Sequence, residues 1–285
     1  MNAAGERLFV SRMMTGRHDE SRAHGTMTNP TTTETLQYSI VIPAFNESAR
    51  IEAALQEVTD CVEKHGWAAE VIVVNDGSRD DTAAIVRRWM ERKPYMRLLE
   101  NPGNRGKGYS VRHGLLDAKG AIVMFTDADI SAPMDEAELL FQAIDPPDGG
   151  EGVDVAIGSR WLERDRQTIH QPLYRQLFGR CFNLVTRTVM HLPYADTQCG
   201  FKAFKHDAAQ RIFCLQRIER WGFDPEILFI AQRLKYTVRE VPVTWGHDER
   251  SRMSYLRDGL RMLEEMVVIR WNALRGRYES CPGEK

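Results

Sequence analysis

From Leu36 onward, short apolar runs alternate with segments whose apolar residues recur every three or four positions. The runs YSIVIPAFNE, with a strand ending at Pro43, EVIVVNDGS, MRLLEN and AIVMFTDAD each predict a strand, and the segments between them predict amphipathic helices. Strands that are apolar throughout and are separated by such helices are typical of a parallel sheet covered on both faces. The pattern therefore predicts an α/β fold with a central, mostly parallel sheet flanked by helices.

The pattern loosens after Gly150. VDVAIGSR and TVREVPV predict two more strands, DTQCGFKAF predicts a compact loop, and helices are expected over 172–191, about 224–234 and about 253–275. No linker or repeat interrupts the chain. We expect a flexible N-terminal extension over 1–35, a main domain over 36–252, and an amphipathic helix and tail over 253–285 that belongs to this domain or packs on it.

Composition narrows the class of protein. The chain has 285 residues, 42% of them hydrophobic, and a formal net charge of -2, which indicates a globular protein without the basic field typical of nucleic-acid binding. No apolar stretch approaches the roughly 18 residues of a membrane span, and the first thirty residues lack a secretory signal. Five cysteines without a CxxC pair favour a reducing compartment and argue against a zinc site. We expect a cytoplasmic protein.

Polar residues follow the predicted strands at their carboxyl ends, where ligands of such sheets bind. Glu47 follows the first strand, Asp76 the second, and Asp127 and Asp129 the fourth, so these side chains are expected in one cleft. Carboxylates directly after a buried strand are costly unless they are paired or bound to metal. The pair predicts a Mg²⁺ or Mn²⁺ site, and the alternative is a turn with a helix cap before Pro133.

Two turn-rich segments add candidate nucleotide contacts. In VVNDGSRDDT, Ser78 and Asp80 suit helix capping, whereas Asp76 is expected to be free to accept a hydrogen bond from a base. NPGNRGKGYSVRHG fails the Walker pattern, but its glycines allow close backbone approach, and Arg105 and Lys107 suit a diphosphate. A glycine-rich helix start without a ligand remains the alternative for this second segment.

Several motifs, in their order and spacing, resemble those of family 2 glycosyltransferases of the GT-A fold. They are IVIPAFNE, VIVVNDGSRDDT, NRGKGYSVRHG, FTDADIS, GSR, DTQCGFKAF, RWGFDPE and SRMS, and they span roughly residues 37 to 275. More narrowly, they are similar to the dolichyl-phosphate glucosyltransferase branch, which is related to dolichyl-phosphate mannose synthases. The resemblance implies transfer of a sugar from a nucleotide sugar, UDP-glucose in this branch, to a polyprenyl phosphate with inversion, and it makes residues 36–252 the catalytic domain.

The resemblance also implies a role for each matching residue. On the donor side, it assigns Pro43, Ala44 and Glu47 to the nucleoside pocket, Asp76 to the uracil, Lys107 to the nucleotide and Arg160 to the donor sugar. It assigns Asp127 and Asp129 to the metal and the sugar nucleotide, with Asp129 as the stronger metal candidate. On the acceptor side, it assigns Asp196, Gln198 and Lys202 to the sugar and acceptor phosphate, and Arg220 and Trp221 to the border of the acceptor site. Arg252 replaces the lysine usual in the family and is expected to hold diphosphate.

The expected acceptor fits this residue set. A phosphate monoester has a second pKa of about 6, so it is mostly dianionic at neutral pH and needs no strong base. The phosphate does need cations to hold it, and Lys202 and Arg220 suit this role. Because no strong base is needed, Asp196 is expected to be an orienting group or a modest base.

The last helix bears on a lipid acceptor. Its apolar positions recur at three- and four-residue steps and include Trp271, with arginines on both sides. This pattern suits peripheral contact with an anionic membrane surface, and it equally suits a core-packing helix with a basic solvated face.

Four alternatives remain at this stage. They are a GDP-mannose-dependent polyprenyl-phosphate mannosyltransferase, a glycosyltransferase with a soluble acceptor, a phosphatase of the haloacid dehalogenase type, and a non-catalytic nucleotide-sugar-binding protein. FTDADIS imitates the phosphatase motif, but that motif normally opens its fold, and here three predicted strands precede it. The complete set of polar residues at the sheet edge favours an enzyme over a binding protein.

Overall fold

The structure is a computed structural model that describes residues 36–163, 173–246 and 255–281. The described residues all belong to one compact unit, Glu34–Lys285. The strands are β1 Tyr38–Ala44, β2 Ala69–Asn75, β3 Met96–Glu100, β4 Ile122–Phe125, β5 Val155–Ser159, β6 Lys202–Lys205 and β7 Val238–Pro242. The helices are α1 Ile51–His65, α2 Thr82–Met90, α3 Lys107–Asp117, α4 Ala137–Ile144, α5 Leu173–Met190, α6 His206–Leu215, α7 Phe223–Arg233 and α8 Tyr255–Leu274, with a 3-10 turn at Met134–Glu136.

The seven strands form one sheet in the order β3-β2-β1-β4-β6-β5-β7. The first four strands are parallel to one another, and β5 is parallel to β7, whereas β6 is antiparallel to both of its neighbours. The mostly parallel sheet predicted from the sequence is confirmed. The expectation that DTQCGFKAF is a loop throughout is wrong, because its last three residues, from Lys202, begin β6.

Helices cover both faces of the sheet. One core packs α1, α2 and α4 against the sheet, and the other packs α3, α6, α7 and α8 against the opposite face. Every residue of β2 is buried, which explains why this strand is apolar without alternation. Two short helices that complete these layers, α4 and α6, were not predicted from the sequence pattern.

The end of the chain is held to the body of the domain. The helix α8 packs against α5 and α7, and Cys214, near the end of α6, forms a disulfide with Cys281. The sequence did not predict this pairing, and Cys61 and Cys199 are free and buried. Among the described residues, no helix combines the length and the apolar character needed to cross a bilayer. The predicted extension, residues 1–35, lies outside the described part of the chain.

Candidate active site

The parallel strands β1, β2 and β4 end at one edge of the sheet, and the turn after β4 carries Asp127 and Asp129. The backbone N–H of Ile130 donates to the carbonyl of Asp127 (3.0 Å), and Ile130 has a φ of 44°, so the chain turns sharply. Ser131 donates to Asp129 Oδ1 through its backbone N–H (3.2 Å) and its hydroxyl (2.9 Å). Burial and then the charge of Asp127 raise the pKa of Asp129, which indicates that the two carboxylates act on each other.

Gly200 makes room for the first of these carboxylates. A Cβ at this position would lie 2.2 Å from Asp127 Oδ2, far inside van der Waals contact. Gly200 belongs to the DTQCGFK segment and lies just before β6, which pairs with β4. The antiparallel strand therefore brings this segment against the turn that carries Asp127 and Asp129, a contact that sequence spacing did not predict.

Lys107, the first residue of α3, is ion-paired with this turn. Its Nζ lies 2.5 Å from Asp127 Oδ1 and 5.5 Å from the ring centroid of Trp221. Burial opposes the charge of Lys107, but Asp127 and Asp224 together raise its pKa, so the ammonium stays charged. Trp221 is 40% exposed. The structure thus gathers residues from three separate motifs around one carboxylate.

Asp76 shapes the glycine-rich segment and is not free, contrary to the sequence-based expectation. Its Oδ1 accepts from the side-chain amide of Asn101 (2.8 Å) and the backbone N–H of Arg105 (2.9 Å), and its Oδ2 accepts from the N–H of Gly106 (2.8 Å). Gly106 has a φ of 113°, and a Cβ there would lie 2.6 Å from the carbonyl oxygen of Glu219. The assignment of Asp76 to uracil stays a prediction that now has to accommodate these three hydrogen bonds.

Glu47 is also paired. The Arg50 guanidinium binds its carboxylate through two nitrogens, and the backbone N–H of Glu47 donates to Thr82 Oγ1 (2.8 Å). Asp80 accepts hydrogen bonds from Ser48 and Thr82. Burial raises the pKa of Asp80, but these hydrogen bonds outweigh it and lower the pKa to about 2. These contacts connect the loop after β1 to the start of α2. The neighbouring Pro43 and Ala44 lie at the end of β1, half-buried and buried respectively.

Asp196 and Arg160 form a two-pronged ion pair. Arg160 Nε lies 2.6 Å from Asp196 Oδ2, and Nη2 lies 2.8 Å from Oδ1. Burial opposes ionisation of Asp196, but the Arg160 charge and hydrogen bonds hold its pKa below the ordinary value. A carboxylate held in this way is a weak proton acceptor, so the ion pair favours the orienting role, and the role of modest base stays a prediction.

Lys202 is fully buried, and this corrects its expected contact with the acceptor phosphate. Its Nζ donates to the carbonyl of Cys199 (2.5 Å) and to Asp224 Oδ1 (2.5 Å). A lysine with no exposed surface cannot hold a phosphate that arrives from solvent, and this one stabilises the segment behind Asp127 instead. Asp224 is a residue that the sequence analysis missed, although the RWGFDPE motif contains it. Burial raises the pKa of Asp224, and the charges of Lys202 and Lys107 oppose this.

Two predicted residues have polar groups available for a ligand. The Nε2 of Gln198 is buried and has no hydrogen-bond partner within the described residues. Arg220 is exposed, and in the described part of the chain no carboxylate pairs with it. Arg252 lies outside the described residues. Unsatisfied buried donors are rare in proteins, so the Nε2 of Gln198 is a group that a substrate oxygen could satisfy.

Two further carboxylates support the segment that carries Arg220 and Trp221. Glu226, in α7, accepts from the backbone N–H groups of Arg217 (3.0 Å) and Ile218 (2.8 Å), and Glu265, in α8, accepts from that of Gly222 (2.7 Å). The sequence analysis missed both, because a glutamate on an amphipathic helix is typical of a solvated face.

The carboxylate pair fits a divalent cation. Asp127 and Asp129 supply oxygen donors from one short turn. Burial and, after it, the charge of Asp127 raise the pKa of Asp129, and a cation bound here would offset both effects. Lys107 now partly neutralises Asp127, so the site already attracts positive charge. The donor set, which has only oxygen atoms, suits Mg²⁺ or Mn²⁺.

Comparison with known proteins shows relatives over most of the chain. Residues 39–213 match the family described as glycosyl transferase family 2. The chain is 39% identical over 238 residues to dolichyl-phosphate beta-glucosyltransferase ALG5C of Trichomonas vaginalis, a match that covers 81% of this chain and 70% of that protein. It is 32% identical over 253 residues to dolichyl-phosphate beta-glucosyltransferase of Homo sapiens, covering 86% and 78% of the two chains.

Solved structures share the fold at low identity. Glucosyl-3-phosphoglycerate synthase from Mycobacterium tuberculosis, in complex with UDP, aligns with a TM-score of 0.56 at 21% identity and covers 87% of this chain and 82% of that one. Mannosyltransferase PcManGT from Pyrobaculum calidifontis, in complex with GDP-Man and Mn²⁺, aligns with a TM-score of 0.55 at 20% identity and covers 84% and 64%. The Mn²⁺ ion is part of the PcManGT complex. A further complex of the Mycobacterium tuberculosis enzyme contains Mg²⁺ and UDP.

These comparisons confirm the resemblance and the GT-A fold predicted from the sequence. The family match extends from β1 through α6 and includes the Asp127–Asp129 turn, so that turn belongs to a glycosyltransferase. The alternatives of a haloacid-dehalogenase-type phosphatase and of a non-catalytic binding protein are therefore wrong. The chain belongs to glycosyl transferase family 2.

Proposed function

We propose that this enzyme transfers glucose from UDP-glucose to a dolichyl-type polyprenyl phosphate, with inversion at the sugar carbon. The observation that carries the proposal is that carboxylates around the Asp127 turn are already held by cations. Arg160 holds Asp196, Lys202 holds Asp224, and Arg50 holds Glu47. An acceptor hydroxyl would need a free base, whereas a phosphate dianion needs none. The names of the curated relatives support the same acceptor and sugar.

Asp127 and Asp129 would hold a Mg²⁺ or Mn²⁺ ion. That ion supplies positive charge to the diphosphate leaving group, on which negative charge develops during transfer. Lys107, whose Nζ lies 2.5 Å from Asp127 Oδ1, would add a second positive charge beside the same group. Pre-arranged cations of this kind stabilise a developing anion without reorganisation.

The acceptor would approach on the side of Arg220 and Trp221. Arg220 is exposed and unpaired within the described residues, so its guanidinium can bind a phosphate through two nitrogens. The buried Nε2 of Gln198 would donate to a sugar oxygen, which satisfies a group that otherwise has no partner. Asp196 orients Arg160 and the backbone of Gln198, whose N–H donates to Asp196 Oδ1 (3.1 Å).

The proposal includes a peripheral position at the cytoplasmic face of a membrane. The helix α8 exposes apolar side chains, among them Val267 (66%), Trp271 (53%) and Leu274 (82%). Arg270 on the same helix and Arg275, the first residue after the helix, are also exposed. Apolar side chains beside arginines complement an anionic lipid surface, and a lipid-linked acceptor requires such proximity.

Transfer of radiolabel into the organic phase tests the reaction. The full chain is incubated with labelled UDP-glucose or GDP-mannose, dolichyl phosphate or 3-phosphoglycerate, and Mg²⁺ or Mn²⁺. We expect counts only from UDP-glucose with dolichyl phosphate, at least a hundredfold fewer in Asp129→Asn, and no change in Asp148→Asn, a matched exposed aspartate. Transfer from GDP-mannose would reassign the donor. Label from UDP-glucose in a glucosylated phosphoglycerate, which is water-soluble and is therefore separated from the aqueous phase by anion-exchange chromatography, would reassign the acceptor.

Sedimentation with vesicles tests the membrane contact separately. The double variant Trp271→Ser/Leu274→Ser should lose binding to vesicles that contain anionic phospholipid, while the paired variant Leu184→Ser/Val189→Ser on α5 should keep most of it. Equal sedimentation of all the proteins with neutral and anionic vesicles would contradict a charge-assisted contact.

A further inference from the structure

A cluster of three different metal-ligating side chains lies away from the Asp127 turn. Cys61 and His65 are four residues apart on α1, and Asp135 belongs to the 3-10 turn that packs against this helix. One ligand atom from each lies within 4.8 Å of the others, and no other group of this kind with three members occurs in the described ranges. Cys61 lies about 15 Å along α1 from its first residue, so the cluster is not at the sheet edge that carries the predicted donor site.

Two of the three distances between donor atoms match tetrahedral coordination, and the third is at most 4.8 Å. Cys61 Sγ lies 3.5 Å from Asp135 Oδ1, and His65 Nε2 lies 3.2 Å from the same oxygen. Neighbouring donors on tetrahedral Zn²⁺ stand about 3.3 to 3.5 Å apart, because the metal bonds are about 2.0 Å to nitrogen or oxygen and about 2.3 Å to sulfur. Lys64 binds the other oxygen of Asp135 (2.8 Å), which leaves Oδ1 toward the cluster.

The second nitrogen of the histidine is also held as in a metal site. His65 Nδ1 lies 3.0 Å from Glu138 Oε2, in α4. A metal-bound histidine commonly donates its other N–H to a carboxylate, which fixes the tautomer and directs the lone pair to the metal. With the proton on Nδ1, the Nε2 lone pair faces a carboxylate oxygen, and only a cation or a second proton between them makes this contact favourable.

We propose that Cys61, His65 and Asp135 bind one Zn²⁺ ion, with water as the fourth ligand. As the Zn–S bond forms, the Cys61 S–H bond breaks and the proton passes to the solvent, so no oxidant or reductant is involved. Glu57 also binds the backbone N–H of Met134 (3.0 Å), next to Asp135. The ion would therefore fasten α1 to the segment that follows the Asp127–Asp129 turn. The absence of a CxxC pair does not exclude this site, because its ligands come from a helix and a distant turn.

Cobalt titration tests the proposal independently of enzyme activity. The full chain is freed of metal with a chelator and titrated with Co²⁺, and absorption from thiolate-to-cobalt charge transfer is recorded. We expect this absorption to saturate at one equivalent and to disappear when Zn²⁺ is added. Cobalt at the Asp127–Asp129 pair has oxygen ligands only and does not give this absorption.

Matched variants assign the ligands. Cys61→Ser should abolish the charge-transfer absorption, and His65→Gln should weaken Co²⁺ binding at least tenfold. Glu138→Gln should weaken it by about 10- to 100-fold through loss of the histidine's partner. Asp60→Asn, an exposed aspartate on the same helix, should leave it unchanged. No absorption at saturating Co²⁺ in the wild type, or the same absorption in Cys61→Ser, would overturn the proposal and favour an imidazolium between two carboxylates. If Cys61→Ser fails to fold, His65→Gln decides the question.

Discussion

Glu226 connects the stability of the protein to pH, because it is a carboxyl group with no exposed surface. It accepts from the backbone N–H groups of Arg217 and Ile218, and from the hydroxyl of Tyr278 (2.6 Å). Burial raises the pKa of Glu226 from 4.5 to about 7, although these hydrogen bonds oppose the shift. The native protein therefore keeps a proton here that the unfolded chain releases.

The sign and the size of the effect follow from linkage. Between the unfolded pKa of 4.5 and the folded pKa of about 7, the native state binds one more proton, so the free energy of unfolding falls as pH rises. The contribution is complete below pH 4.5 and is lost above pH 7, and a shift of about 2.5 units corresponds to about 3 kcal/mol. Glu226→Gln resembles the protonated group and does not titrate, so it lacks this loss.

Urea unfolding followed by tryptophan fluorescence measures the effect at pH 5 and pH 8. The stability of the wild type relative to Glu226→Gln should fall by about 2 to 3 kcal/mol between pH 5 and pH 8, because at pH 5 the contribution is already slightly below its full value. Other titrating groups are common to both proteins and cancel in the difference. Glu279 is an exposed glutamate near the same tail. The free energy of unfolding of Glu279→Gln should differ from that of the wild type by the same amount at pH 5 and pH 8. If the difference for Glu226→Gln is equally constant, the carboxyl group does not have a raised pKa, and the reasoning is refuted.

Three other predictions concern the metal-site turn and its support. Gly200→Ala should reduce transfer and Mn²⁺ affinity at least tenfold, because the added Cβ would lie 2.2 Å from Asp127 Oδ2. Calorimetry measures the affinity. The control Gly179→Ala, which has open space around its Cβ, should bind Mn²⁺ as tightly as the wild type. Lys202→Met should lower the free energy of unfolding in urea by about 3–5 kcal/mol, since it leaves Asp224 buried without its partner. Adding Asp224→Leu should recover most of the lost stability, and no recovery would contradict the pairing. Removal of divalent cations with a chelator should abolish transfer, and Mg²⁺ or Mn²⁺ should restore it; full activity without a divalent ion would contradict a metal at Asp127.

The pattern of apolar and polar residues was sufficient to predict the strands in the first half of the fold. The strands β1, β2 and β4 are almost entirely buried, so they read as largely apolar runs. Their order along the chain and the polar residues at their ends were predicted. The later part was less clear. The strand β6 has only four residues and contains two lysines, and α4 and α6 are short, so local patterning did not separate them from loops.

Residue types predicted the carboxylates and the cations of the site, but not their pairing. The sequence identifies Lys202 as a cation, and only the register of β6 beside β4 places it in the core next to Asp224. Likewise, Asp76 follows β2 as expected, yet its oxygens are taken up by backbone N–H groups that come from about 30 residues further along the chain. Partners so distant in sequence leave no periodic signal.

By itself, the sequence determined the α/β class, the sheet edge that carries the polar residues and the family resemblance, because each depends on local periodicity or on motifs within a few residues. The tertiary structure alone decided which charges neutralise one another, that Gly200 must lack a side chain beside Asp127, and that Cys61, His65 and Asp135 meet. These features depend on distances between segments that are far apart in the chain. Such distances are set by how the helices and the antiparallel strand pack on the sheet, and not by any local pattern.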